Sequence, residues 1–288
     1  MRARYPDCDG IVVRDGVGIR YERYGQGRPA ILLLPTWSLV HSRHWKMQVA
    51  YLARHFTVVC FDGRGSGGSG RPPEPAAYTD AQFASDAMAV MDAAGIETAV
   101  LVSVSRGALW SLRLCAEHPD RVLGAVFVAP TALLMPPLAE RRVQRFGEVL
   151  DAPVGWQTYN AHYWKTNYPE FVEFFAGRIF TEPHSTKQVE DAIGWALETD
   201  GETLAAADRA LECSDGSATR RLAARLACPV LVIHGTDDAV RGYYEGEALA
   251  RCTGGALVTL AGSGHFPHAR DPVRVNGLIK QFADGFRR

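Results

Sequence analysis

A serine on a tight turn, an aspartate after a later apolar run and a histidine after the next are the residues of this chain best suited to attack a carbonyl and move a proton. Ser105 lies in Ser103-Val104-Ser105-Arg106-Gly107, behind the apolar run Val100-Leu101-Val102 and ahead of the helical spacing Ala108, Leu109, Leu112, Ala116. A serine between small residues, where a strand turns sharply into a helix, is the arrangement that exposes a nucleophilic hydroxyl. Glycine is the common residue at the first position of such a turn. Here it is Ser103, one of the few side chains small enough to be tolerated there. Alone the string is weak, because turns carry serine and glycine for local reasons and serine often caps a helix. Its weight comes from residues elsewhere.

The run Pro229-Val230-Leu231-Val232-Ile233 is followed by His234-Gly235-Thr236-Asp237-Asp238, which places carboxylates just past the end of a strand. Ala256-Leu257-Val258-Thr259-Leu260 is followed by Ala261-Gly262-Ser263-Gly264-His265, which puts an imidazole on the next loop at the same edge. In this reading Ser105 attacks an acyl carbon, His265 takes its proton, and Asp238 holds the imidazole in the right tautomer and stabilises its charged form. Asp237 competes with Asp238 for the acid role, and His268 competes with His265 for the base.

The order serine, aspartate, histidine differs from the orders of the two familiar serine-protease folds. With the segment Phe61-Asp62-Gly63-Arg64-Gly65-Ser66-Gly67-Gly68-Ser69, these motifs resemble the α/β-hydrolase family over most of the chain. The resemblance implies a mostly parallel central sheet flanked by helices, with a helical cap inserted over the active site. Its His-Gly-x-x-Asp spacing favours Asp238, leaving Asp237 as a turn or helix-capping residue. Its Gly-His loop favours His265, leaving His268 as a surface or pocket-edge histidine. It implies an oxyanion hole with one donor from the amide of Arg106 and another from the loop after the third strand. Members usually carry His-Gly in that loop, but this chain reads Leu34-Pro35-Thr36-Trp37-Ser38. The Trp37 amide is the expected second donor and Ser38 the runner-up. The reaction implied is carboxylic ester hydrolysis, with thioester, lactone or amide cleavage close behind. Two alternatives stay open: carbon-carbon bond cleavage or cofactor-free perhydrolysis by the same triad, and a small-molecule receptor that hardly turns over.

Steps in from the site lead to the elements that must hold it. Apolar runs and helical stripes alternate, the signature of an α/β sheet covered on both faces. Strands are expected near Ile11–Val13, Ile19–Tyr24, Ile31–Leu34, Thr57–Phe61 and Val122–Val128, and Trp45, Val49 and Leu52 mark a helix. Thr79 and Gln82 form a capping box ahead of the stripe Phe83, Ala87, Val90, Met91, and Gly95 ends that helix. Asp271-Pro272 starts a last helix, docked by Val275, Leu278, Ile279, Phe282 and Phe286. From Pro130 to Ala227 the alternation stops. The expected division is a core of residues 1–130 and 228–288 with a cap of residues 131–227. The cap is rich in aromatics, among which Trp156, Tyr159 and Trp164, with Ser38 from the core, are expected at the substrate pocket. The stripe Phe171, Phe174, Phe175 has helical spacing, which predicts packing within the cap first.

Composition bounds what else the chain can do. Its 288 residues suit one large domain or one with an insertion. With 31 Lys+Arg against 32 Asp+Glu, the formal charge is -1, and there is no basic stripe or tail to draw nucleic acid or anionic lipid. No apolar run approaches the ~20 residues that span a bilayer, and no apolar stretch follows the N-terminal arginines. Cys8, Cys60, Cys115, Cys213, Cys228 and Cys252 are scattered without paired spacing, as expected of reduced, mostly buried thiols in the cytoplasm. The glycines of 63–68 fit a Gly-x-Gly-x-x-Gly pattern, but Arg71-Pro72-Pro73-Glu74-Pro75 follows where a dinucleotide loop must open into a helix; a tight surface loop is expected instead. His41 and His44 lack a third ligand. The expectation is therefore a small-molecule substrate, apolar or aromatic as the aromatic-rich insert suggests, with no cofactor, metal, nucleic acid or membrane, and with the choice between monomer and homodimer open. The Arg106 side chain is left to solvent, a nearby carboxylate or an acidic substrate.

Overall fold

A computed structural model describes residues 3–210 and 216–287. The chain opens with an antiparallel hairpin of β1 (Cys8–Arg14) and β2 (Val17–Tyr24). Both residues of its turn, Asp15 and Gly16, have positive φ, 50° and 77°, the handedness that matches the twist of paired strands. Then come β3 (Ala30–Leu33), α1 (Lys46–Leu52), β4 (Thr57–Phe61), α2 (Asp80–Ala93), β5 (Ala99–Val104), α3 (Gly107–Glu117) and β6 (Val122–Val128). β4 and β5 are buried at every position, as continuous apolar runs must be when helices cover both faces of a parallel sheet.

After β6 the chain leaves the sheet for α4 (Tyr163–Ile179), α5 (Thr186–Ala196), α6 (Gly201–Arg209) and α7 (Ser217–Ala223). It returns as β7 (Val230–Gly235), α8 (Tyr244–Thr253), β8 (Ala256–Leu260), α9 (Pro267–Arg270) and α10 (Pro272–Asp284). The strand order is β1-β2-β4-β3-β5-β6-β7-β8, with all pairings from β4 onward parallel. One apolar layer packs α1 and α10 against the sheet and continues into the insert; the other packs α2, α3 and α8. α4 kinks at Asn167 ahead of Pro169, because proline removes a backbone donor and clashes with the preceding turn. α4 packs on α5 and α6, whereas α7 packs on α3 and α8.

Some local expectations are corrected. The Thr79 hydroxyl caps the Gln82 amide at 3.4 Å, but the Gln82 side-chain oxygen accepts from Arg14 instead of turning back, so only half of the capping box forms. The glycine-rich loop is largely buried, not a surface loop. Arg64 donates to both oxygens of Asp86 on α2, at 2.6 and 2.9 Å, and Asp62 accepts from the Ser42 and Gly68 amides at 3.0 and 2.9 Å. The motif thus pins its loop to α2 and to the turn before α1. Cys60 and Cys115 are buried, but Cys8 and Cys252 are exposed, and Cys213 falls outside the described residues. Among the described residues no helix is long and apolar enough to cross a membrane.

His268 is not at a surface or pocket edge. It is fully buried on α9, with Nε2 3.1 Å from Nδ1 of the buried His44. Two imidazoles sharing one hydrogen bond away from water are held neutral. Burial, with His265 nearby, lowers His268 to about 3; burial, with His268 and His41 nearby, puts His44 well below its usual value. Both bases bind protons more weakly in the folded than in the unfolded chain. Their contribution to stability is therefore complete above about pH 6.5 and is lost as pH falls from there toward 3. At pH 5 His268 alone is expected to remove about 2 kcal/mol. Denaturant titrations at pH 7 and pH 5 check this: His268→Gln should flatten the loss, and an unchanged slope in that variant would place the acid sensitivity elsewhere.

Candidate active site

The site grows out of the turn between β5 and α3. Ser105 stands at φ 52°, a left-handed backbone that an ordinary residue keeps only when its surroundings over-determine it. They do: the Ser105 amide donates to the Val128 carbonyl at 3.1 Å, and the Thr131 amide donates to the Ser105 carbonyl at 2.9 Å. Gly107 is required by close approach, since a Cβ there would lie 2.5 Å from the Pro35 carbonyl oxygen and 3.4 Å from the Ser103 Cβ. Its missing side chain lets the Pro35–Ser38 loop close on the turn and leaves room for Ser103, which is fully buried.

Two loops at the same edge complete the arrangement. His265 Nε2 is 2.9 Å from Ser105 Oγ, and His265 Nδ1 is 2.7 Å from Asp238 Oδ2. Asp238 Oδ1 accepts from the Val240 and Arg241 amides, each at 2.8 Å, and Oδ2 also faces His234 Nε2 at 3.0 Å. Burial alone would raise the pKa of this carboxyl, but His265, His234 and these hydrogen bonds outweigh it and hold Asp238 well below the usual carboxylate range. An anionic Asp238 assigns the His265 proton to Nδ1 and leaves the Nε2 lone pair facing the serine hydroxyl. Asp237, by contrast, is exposed and accepts from the Thr236 hydroxyl at 2.8 Å. The approach of these loops depends on Gly235, where a Cβ would lie 2.0 Å from the Ser263 carbonyl oxygen. The insert clamps the histidine loop from above. His265 donates its amide to Ile179 at 2.9 Å, and Glu182 Oε1 accepts from the Gly264 amide at 2.8 Å and the Ser263 hydroxyl at 3.0 Å.

Ser105 opens onto two recesses. One is mostly apolar and includes Leu39, Val40, Ile179 and Phe266 with His265. The other, the larger of the two, is lined by Thr131, Tyr159, Asp208 and three arginines, Arg106, Arg141 and Arg241. Trp37 and Phe175 belong to both. Among the described residues, neither the Arg106 nor the Trp37 amide is committed to a protein acceptor.

Of the four residues expected at the pocket, Tyr159 is on its wall. Ser38 is not: its hydroxyl turns away to donate to the Arg64 carbonyl at 2.9 Å. Trp164, fully buried, and Trp156 stand behind the wall. Trp164 packs 5.0 Å from the Tyr159 ring, and Trp156 packs edge-on against Phe174 and Phe175. Of the helical stripe, Phe171 packs inward at 4.7 Å from Trp164, while Phe175 reaches the cavity. His41 and His44 diverge, His44 to His268 and His41 to Glu198 at 3.3 Å. The side-chain roles of His234, Thr131, Arg141, Asp208 and Arg241 were not visible in the sequence. His234 stands inside the His-Gly motif and could have been suspected as a second support for Asp238. The arginines of the insert follow no pattern.

Residues 29–272 match the sequence model of the alpha/beta hydrolase fold family. The 3-oxoadipate enol-lactonase 2 of Acinetobacter baylyi is 28% identical over 275 residues, covering 94% of this chain and 95% of its own. Among solved structures, an enol-lactonase from Burkholderia xenovorans has a TM-score of 0.79 at 24% identity, over 95% of this chain and 99% of that one. An esterase from a Rhodococcus species has a TM-score of 0.76 at 25% identity, over 95% and 97%. Because the match runs from just before β3 to the first residue of α10 and so spans the serine, aspartate and histidine loops alike, the chain belongs to the α/β-hydrolase fold family and is a hydrolase.

Proposed function

We propose that this enzyme hydrolyses a carboxylic ester or lactone through an acyl-enzyme on Ser105. The observation that carries the reading is the hydrogen-bonded relay Ser105–His265–Asp238, at 2.9 and 2.7 Å. His265 Nε2 takes the hydroxyl proton as Oγ attacks the carbonyl carbon, and returns it to the departing alkoxide. It then activates water for the second half of the reaction. Asp238 stabilises the imidazolium between these transfers. The Arg106 and Trp37 amides, free of acceptors among the described residues, donate to the oxyanion; losing one such donor costs about 10² to 10³ in rate. Residues 131–227 act as a cap, with α4 to α6 roofing the site and α7 docked on the core helices. The enol-lactonase and esterase names of similar proteins support the choice of bond.

A fluorophosphonate, which traps an activated serine, should label the protein stoichiometrically, and Ser105→Ala should abolish the label. Folded wild-type protein that neither labels nor turns over p-nitrophenyl acyl esters would remove the acyl-enzyme reading.

A further inference from the structure

The larger recess beside Ser105 carries more positive charge than the described residues around it neutralise. Arg106 and Arg141 are almost wholly buried, at 5% and 7% exposure. Arg106 Nη1 donates to the Ala207 carbonyl at 3.1 Å, while its Nε and Nη2 have no hydrogen-bond partner among the described residues. Arg141 Nη1 donates to the Val240 carbonyl at 2.6 Å, and its Nε likewise has no partner among them. Its guanidinium lies over the Trp156 and Tyr159 rings, 4.7 and 5.6 Å from their centroids, so its plane is fixed. Arg241 enters from the loop after β7, close enough that the two like charges disfavour one another. No carboxylate pairs with Arg241 among the described residues.

The acids nearby do not balance this. Asp238 is saturated by two imidazoles and two amides. Asp208 lies 3.8 Å from Arg106 and accepts the Tyr159 hydroxyl at 2.7 Å, which among the described residues lining the recess leaves three cations facing one carboxylate. Unpartnered N–H groups of a buried cation are costly, and an anion that accepts from them removes the cost. Guanidinium is also the group whose fork best matches a carboxylate.

We infer that the substrate is an ester or lactone bearing a free carboxylate, which is bound in the recess formed by Arg106, Arg141 and Arg241 while the scissile carbonyl sits at Ser105. The inference rests on the proposed hydrolysis and specifies its substrate class. The carboxylate belongs to either the acyl or the alcohol part, and the apolar recess receives the remaining aliphatic portion.

The test compares charged and neutral partners of one skeleton by pH-stat: monomethyl glutarate against dimethyl glutarate for the acyl side, and 4-acetoxybutanoate against its methyl ester for the alcohol side. In at least one pair kcat/KM should favour the carboxylate by about 10- to 100-fold, the range expected for charge-assisted hydrogen bonds. The preferred pair identifies the side. In Arg241→Gln, a half-buried position, that ratio should fall by about tenfold or more, chiefly through KM. Neutral esters hydrolysed as well as or better than both acids would overturn the inference while leaving the hydrolase reading intact. A wild-type preference that survives unchanged in both Arg241→Gln and Arg141→Gln would equally overturn it. Absence of fluorophosphonate labelling together with no ester turnover would instead overturn the hydrolase reading.

Discussion

Ser105→Ala and His265→Ala should each lower kcat by about 10⁴ to 10⁶, and the double variant should be no worse than either single one, because the two side chains act as one unit. Among the described residues the proton that leaves Oγ has a single base within reach: His265 Nε2 at 2.9 Å. No neighbour can substitute, since His268 is buried against His44 and His234 is held on Asp238. Asp238→Asn tests the third member differently. One oxygen of Asp238 accepts from two backbone amides and the other from two imidazoles. An amide side chain can accept on one side only, so its NH₂ must face a pair of donors whichever way it turns. If that pair is the imidazoles, His265 is driven to the wrong tautomer, and a kcat loss of about 10⁴ is expected. Steady-state kinetics on one activated ester measure all three. Near-wild-type turnover by His265→Ala would remove its role as base, and losses that multiply in the double variant would contradict the relay.

What the sequence disclosed of this site follows from how local each constraint is. Ser105, Asp238 and His265 were readable because each sits one turn beyond an apolar strand, and parallel strands bring such turns to one edge regardless of what lies between. The strands Thr57–Phe61 and Val122–Val128 were readable to the residue because runs buried on both faces leave no polar interruptions. The pocket was not readable. Its walls combine core loops, which carry Trp37, Arg106 and Arg241, with α4, α6 and the loops of the insert, where helical spacing predicts packing but not which ring sits one layer nearer the cavity. Phe171 and Phe175 share a stripe, yet only Phe175 lines the recess. Trp164 was as plausible a wall residue as Tyr159 until the stacking of Tyr159 on Trp37, 5.4 Å between centroids, put Trp164 behind both. His268 shows the opposite failure. A histidine three residues past the catalytic one looks peripheral, and only its long-range partner, His44, explains why it is interior.

Gly235→Ala should leave the fold recognisable while lowering kcat by about 10² to 10³. The added Cβ would lie 2.0 Å from the Ser263 carbonyl oxygen, 2.6 Å from its carbon and 2.8 Å from the Gly264 oxygen. All three are backbone atoms, so no side chain can swing aside, and the two loops must separate by roughly 1 Å to reach ordinary contact. The displaced loop is the one whose next residue is His265, and it is tied to its neighbour by the Asp237 amide donating to the same Ser263 oxygen at 3.0 Å. A relay with 2.7 and 2.9 Å links has little slack, and a misplacement of that size is enough for the rate loss stated. The strand pairing of Gly235 with Leu260 gives the sheet a hold below the clash, so the cost in stability should stay near 1–3 kcal/mol. Denaturant unfolding and kcat at saturating ester separate the two effects. A stability loss with kcat unchanged would mean that β7 absorbs the shift and that the histidine loop is held by Glu182 and Ile179 alone.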